Sequence, residues 1–206
     1  MSLGFIGISQ RIVENTDYFE IREALSLEWG EFFKQELQNY IPLPLSYAIS
    51  FQEYAQKLGS HLKGVILSGG NDLSCFNNNK ISQIRDDYEG KIIDYCSRES
   101  LPLLGICRGA QRIASYFGAT LKSCNGHIGS HLVESGDKSY KVNSFHNYCI
   151  ESLGDYLIKL AISKDFSIEA FKHIEQNIFG IMWHIERKEG MIDSSIFKEW
   201  KKSLKE

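Results

Sequence analysis

The sequence predicts an α/β protein built on an open, mainly parallel sheet with helices on both faces and a β-rich C-terminal return. Three observations point there. The apolar run Leu103-Leu104-Gly105-Ile106 stops at Cys107 and gives way at once to helical spacing, which describes a strand, a sharp turn and a helix. A second apolar run, Gly64-Val65-Ile66-Leu67-Ser68, reads as a strand covered on both faces and leads directly into Gly69-Gly70. From Ala119 onward the period changes from helical to strand-like, so alternating units come first and hairpins follow.

In chain order, residues 1–9 predict a first strand. Residues 18–40 predict a helix, with Ile21, Leu25, Trp29, Phe32, Phe33 and Leu37 at helical spacing and Pro42 and Pro44 ending it. A short strand over 45–51 and a brief helix over 53–58 lead to the strand at 64–68. After the polar loop Phe76-Asn77-Asn78-Asn79, an amphipathic helix over 81–98 turns Ile84, Tyr88, Ile92, Ile93 and Tyr95 inward. Pro102 and the elbow strand follow, and Gly118 closes the elbow helix as a C-cap. Short strands are predicted at 119–123, 131–134, 140–142, 157–163, 167–172 and 179–186, then a terminal amphipathic helix from about Ser194.

A chain of 206 residues suffices for one α/β domain, 1–206, with a full core. The net charge of −3 gives no attraction to nucleic acid or an anionic membrane, so a small-molecule partner is expected. No apolar run is long enough to span a bilayer, and the N-terminus lacks a signal peptide's basic flank. The 5 cysteines are scattered without a C-x-x-C pair, which suggests neither a disulfide framework nor a zinc site and fits a reducing cytoplasm.

Gly105 and Gly109 around Cys107 give the geometry of a nucleophile elbow with cysteine in place of serine. A thiol at a helix N-terminus is favoured as thiolate, with Arg108 adding to the field. The residues alone also allow Cys107 to be a small buried hydrophobe. Gly69-Gly70 ends its strand at the carboxyl edge where open α/β sheets bind ligands, although a plain turn has the same composition. In the run Phe179-Gly180-Ile181-Met182-Trp183-His184-Ile185-Glu186, positions 184 and 186 share a face of a strand, so an imidazole can be backed by a carboxylate; a surface pair would look the same. Cys75, Cys96, Cys124 and Cys149 lack glycine elbows and read as inert.

Together, Gly105-Ile106-Cys107-Arg108-Gly109-Ala110-Gln111, the strand ending in Gly69-Gly70, and the His184-x-Glu186 segment resemble the class I glutamine amidotransferase-like superfamily. Arg85-Asp86 and Asn143-Ser144-Phe145-His146 resemble its γ-glutamyl hydrolase branch, which includes γ-glutamyl-γ-aminobutyrate hydrolase. The resemblance implies a flavodoxin-like fold and a cysteine-dependent hydrolase with no cofactor. Cys107 would be the nucleophile, His184 the general base and acid, and Glu186 the orienting carboxylate. The backbone N–H groups of Gly70 and Arg108 would form the oxyanion hole, with Gly69 the alternative to Gly70. Gln111 would meet the α-amino or α-carboxylate end of a glutamyl group, and Asn143, Ser144, Phe145 and His146 would line the same pocket. Ile185 stands where the family usually has proline, and Met182 where it has glutamine.

The substrate class implied is a small γ-glutamyl amide, with γ-glutamyl-CDP-amidate, a nucleotide-linked precursor of capsule phosphoramidate, as the first suspect. A γ-glutamyl polyamine or γ-aminobutyrate conjugate is the alternative. Two other classes remain: a glutaminase subunit feeding ammonia to a synthetase, and a non-catalytic binding module. His127 and His131, four apart in a glycine-rich, strand-like region, are not expected to hold a metal, because no helix gathers them and no carboxylate or cysteine completes a set. The polar loop at Asn77, Asn78 and Asn79 is expected to meet a polar leaving group without a basic patch.

Overall fold

An 11-stranded sheet organises the computed structural model, which describes residues 3–191 and 195–204. The strands are β1 (Gly4–Ser9), β2 (Arg11–Glu14), β3 (Ile21–Ala24), β4 (Tyr40–Leu45), β5 (Leu62–Leu67), β6 (Leu103–Ile106), β7 (Thr120–Ser123), β8 (Ile128–Ser135), β9 (Lys138–Phe145), β10 (Tyr148–Ser152), β11 (Leu157–Ser163), β12 (Ile168–His173) and β13 (Ile178–Ile181). The helices are α1 (Glu28–Glu36), α2 (Phe51–Leu58), α3 (Lys80–Glu99), α4 (Arg108–Tyr116) and α5 (Ser195–Ser203). The order β4-β1-β5-β6-β13 is parallel throughout, and from β13 the sheet continues antiparallel through β12, β11, β8 and β9. Strand β10 pairs β12 and β7 as a side branch. This is the flavodoxin-like sheet with a β-rich return that the sequence predicts.

The parallel strands alternate their side chains between two cores. Ile66, Leu104 and Ile106 pack with Trp29, Phe32 and Phe33 of α1 and with Phe197 and Trp200 of α5. Val65, Leu67 and Leu103 pack on the other face with α2, α3 and α4, through Phe51, Ile92, Ile93 and Ile113. Helices thus cover both faces because a strand's period of two presents apolar residues to each.

The N-terminal third departs from expectation. Helix α1 occupies only Glu28–Glu36, and β2 and β3 form a separate hairpin ahead of it. Pro42 and Pro44 do not follow a helix; they lie inside β4, opposite Ile6 and Ile8 of β1. An edge strand tolerates proline because the outward N–H of alternate residues has no ladder partner to lose. At the other end, β13 stops at Ile181, so His184 and Glu186 stand beyond the strand and share no strand face. Strand β10 lies between predicted segments, and Ser194, the expected start of the last helix, falls outside the described residues.

The elbow depends on close backbone packing. A methyl group added at Gly109 would collide with the Leu67 carbonyl of β5, and one at Gly105 with the backbone of Gly109 and Ala110. Helix α4 therefore sits directly against β5 and β6, and Cys107 between them takes φ +53°, a conformation a non-glycine residue holds only under constraint. Gly109→Ala should lower stability by about 1–3 kcal/mol or more, read as a shift in the urea unfolding midpoint, because the obstruction is backbone and cannot rotate away.

Candidate active site

The thiol and the peptide groups around it are placed by the ends of elements. Cys107 follows β6, with its N–H donating to the Ile181 carbonyl of β13 at 2.8 Å. Arg108 begins α4, where first-turn N–H groups lack helical partners. Gly69 and Gly70 follow β5; Gly70 has φ +81°, and the His184 ring lies where a Gly69 side chain would be. These four positions meet at the carboxyl edge of the parallel strands.

His184 is held by Asn143. The Asn143 amide oxygen accepts from His184 N at 2.8 Å, and its Nδ2 donates to the carbonyls of His184 at 3.0 Å and Lys188 at 3.1 Å. An amide side chain here does the work a neighbouring strand would do. It replaces the strand face on which sequence reasoning relied. Trp183 Nε1 donates to the Gly190 carbonyl at 3.0 Å, closing the same turn. The imidazole Nδ1 then meets Glu186 Oε1 at 2.6 Å. Burial of His184 disfavours its charged form, but the Cys107 thiol and the Glu186 carboxylate outweigh it and push the pKa up to about 9.

A cavity of about 430 Å³ opens over this group, with Cys107, Gly70, Arg108, Gln111 and His184 on its wall. Gln111 Nε2 donates to the Tyr148 carbonyl at 2.8 Å, and Tyr148 stacks on Phe76 at 3.7 Å, joining the asparagine-rich loop to the return. Phe145 meets His184 edge-on at 5.6 Å and carries Arg187 over its ring at 4.6 Å. Phe145 and His146 line the cavity. Asn143 and Ser144 do not: both are buried behind the wall, Asn143 clamping His184 and Ser144 Oγ donating to the His127 carbonyl.

The asparagines divide their work: Asn77 faces the cavity, Asn79 also accepts from Ser82 N to cap α3, and Asn78 accepts from Gln83. Sequence reasoning missed Arg11 and Arg187, which bring two cationic side chains to a cavity expected to lack a basic patch. Arg11, lying just past the carboxyl end of β1, was the readable signal. Beneath the floor, Arg85 donates to the carbonyls of Ser68 and Gly70 and to Glu89, while Arg108 pairs with Asp86 and Glu89.

A second correction concerns His127 and His131. The structure brings them together with His146 and the fully buried Glu169, a carboxylate that sequence spacing could not pair with them. Gly129, between the two histidines, has φ +106°, and their ring centroids stand 4.5 Å apart. Of the other thiols, Cys96 and Cys149 are buried and burial raises all four, taking Cys124 up to about 12.

Residues 5–134 and 125–186 match the model of the peptidase C26 family. The chain is 51% identical to a γ-glutamyl-CDP-amidate hydrolase of Campylobacter jejuni, covering 98% of this chain and 100% of that protein. It is 32% identical to a glutamine-hydrolysing GMP synthase subunit of Methanosphaera stadtmanae, over 74% of this chain and 79% of the other. Among solved structures, a candidate GMP synthase subunit of Thermoplasma acidophilum superposes with a TM-score of 0.72 at 20% identity, covering 99% of this chain and 95% of that one, which shows the fold. No helix among the described residues is long and apolar enough to cross a membrane.

The His184 geometry has a measurable consequence. Since its pKa when folded lies above the ordinary 6.5, the folded protein binds that proton more tightly; the resulting stability is complete below pH 6.5 and is lost as pH rises through about 9. An NMR titration of the His184 ring should have its midpoint near 9, and Glu186→Gln should move it downward.

Proposed function

The chain belongs to the peptidase C26 family, within the class I glutamine amidotransferase-like superfamily, and on that premise we propose that it is a cysteine-dependent γ-glutamyl hydrolase whose substrate is γ-glutamyl-CDP-amidate. The observation that carries this is the strained Cys107 at the mouth of α4, beside a His184 that is hydrogen-bonded to Glu186 and opens on a polar cavity.

Cys107 Sγ attacks the γ-carbonyl carbon with its proton held on His184. The backbone N–H groups of Gly70 and Arg108 take the charge of the tetrahedral oxygen; the Arg85 bond to the Gly70 carbonyl supports that orientation of the loop. His184 gives its proton to the departing nitrogen, the C–N bond breaks, and a γ-glutamyl thioester remains. Water, deprotonated by His184, then attacks the thioester, and glutamate leaves as the thiol is regenerated. Glu186 fixes the imidazole's tautomer and stabilises its cationic form. No step needs a cofactor.

The 51% relative's name suggests the nucleotide-linked leaving group, and the cavity supports it. Arg11 and Arg187 can face a diphosphate, while Gln111, Phe145 and His146 are on hand for the glutamyl end and its surroundings. On this reading one hydrolase domain spans 1–206, and a cytoplasmic setting fits the 5 free cysteines.

The purified chain alone should hydrolyse γ-glutamyl-CDP-amidate with kcat/KM at least on the order of 10²-fold above that for glutamine, because remote contacts to the leaving group contribute to the transition state. Glutamine turnover that equals it, or that appears only with an added synthetase, would favour the ammonia-supplying reading that the GMP synthase relative represents. Cys107→Ala should abolish turnover, and Glu186→Gln should cost on the order of 10–10⁴-fold.

The cationic pair gives a separate expectation. Arg187→Ala should raise KM for the diphosphate-linked substrate on the order of 10-fold, and much less for a γ-glutamyl amide with an uncharged leaving group. Steady-state assays on the two substrates check the difference.

A further inference from the structure

Four side chains with no part in the bond-making and bond-breaking steps converge inside the antiparallel return, one of them, His146, also reaching the cavity wall. His127 stands just before β8, His131 on β8, His146 just after β9, and Glu169 on β12. One ligand-type atom from each lies within 4.8 Å of all the others. Glu169 is 0% exposed; His127 Nδ1 is 3.2 Å from its Oε1, and His131 Nε2 and His146 Nε2 are 3.3 and 3.8 Å from its Oε2.

Closeness here is not hydrogen bonding. Both Glu169 oxygens, His127 Nδ1, both His131 nitrogens and His146 Nε2 are buried without a hydrogen-bond partner. A bare buried carboxylate facing three imidazoles is costly to leave unsatisfied. The far nitrogens show why the near ones are available. His146 Nδ1 lies 3.0 Å from the Tyr148 carbonyl, which can only accept, so the proton sits on Nδ1 and the Nε2 lone pair is turned inward. His127 Nε2 lies 3.0 Å from Asp165 Oδ2, and Asp165 is fixed in turn by Ser163 and Ser167. A carboxylate or carbonyl behind the ring, as at His127 and His146, is how proteins orient a histidine toward a metal.

We propose that His127, His131, His146 and Glu169 bind one zinc ion. Three imidazole nitrogens and one carboxylate oxygen form a borderline-soft, four-member set suited to tetrahedral zinc and poorly suited to magnesium or calcium, which take oxygen ligands. With four protein ligands the site is closed, and its role is structural. It ties β8, the end of β9 and β12 together at the point where His146 enters the cavity wall. Strand β12 also carries the Glu169 carbonyl that accepts from Met182 N at 2.8 Å, so the ion would brace the segment leading to His184. Zinc held here takes no chemical step in the reaction assigned above.

The test uses the full chain carrying Cys107→Ser, so that zinc held by that thiol is not counted. After stripping with a chelator, calorimetric titration with Zn²⁺ should show one equivalent bound below micromolar Kd. Zinc at about a hundredfold excess over Kd should raise Tm by roughly 5–10 °C. His131→Ala, which does not touch the cavity, should weaken binding on the order of 10²-fold or more. Asp165→Asn, a conservative change at a half-exposed side chain, should weaken it about 10–100-fold and keep the test open if His131→Ala fails to fold. Absence of zinc uptake at 10-fold excess over roughly micromolar protein, or equal affinity in the two variants and their parent, would overturn the proposal.

Discussion

Two guanidinium groups buried beneath the cavity floor constrain everything above them. Arg85 and Arg108 have 0% and 2% side-chain exposure, and Glu89, also at 0%, is shared between them. Charges taken so far from water persist only if paired and hydrogen-bonded, and removing one partner of such a set costs on the order of 3–5 kcal/mol. The requirement fixes geometry. Arg85 draws in the carbonyls of Ser68 and Gly70, Ser9 Oγ donates to Glu89 and accepts from Ser68 N, and Arg108 anchors the first turn of α4 to α3. The ends of β1, β5 and β6 are thus tied to one electrostatic knot, and the peptide groups facing the cavity take the orientation left to them.

Local signals in the sequence are reliable where the chain itself forces the geometry. Glycines 105 and 109 around Cys107 report an elbow because backbone has to touch backbone there. The run 64–68 reports a covered strand because both its faces are apolar. Prolines 42 and 44 mislead, since a proline's meaning depends on whether its strand is an edge, and an edge is a property of the whole sheet. The aromatic spacing across 18–40 mixes a hairpin with a shorter helix; the surface-facing β3 offers no apolar face to betray it.

The site divides along the same line. The types and order of Cys107, His184 and Glu186 can be read from the sequence, but the reason 184 and 186 meet cannot, because the clamp comes from Asn143, 41 positions away. Arg11, Arg187 and Tyr148 reach the cavity from three separate elements or turns, and no short spacing connects them. The same holds for Glu169, which lies 42 and 38 residues along the chain from its histidine neighbours at 127 and 131. Spacing arguments see partners within one element; partners assembled by the return of a sheet are invisible to them.

The prolines of β4 have a meaning beyond local geometry. An open sheet ends in unpaired peptide groups, and a bare edge is a template onto which another extended chain can add. Pro42 and Pro44 remove two donors from that outer row. A second molecule pressed against this side would find a broken ladder, so the border of the parallel core is protected from aggregation and strand exchange at the cost of two hydrogen-bond donors it never needed.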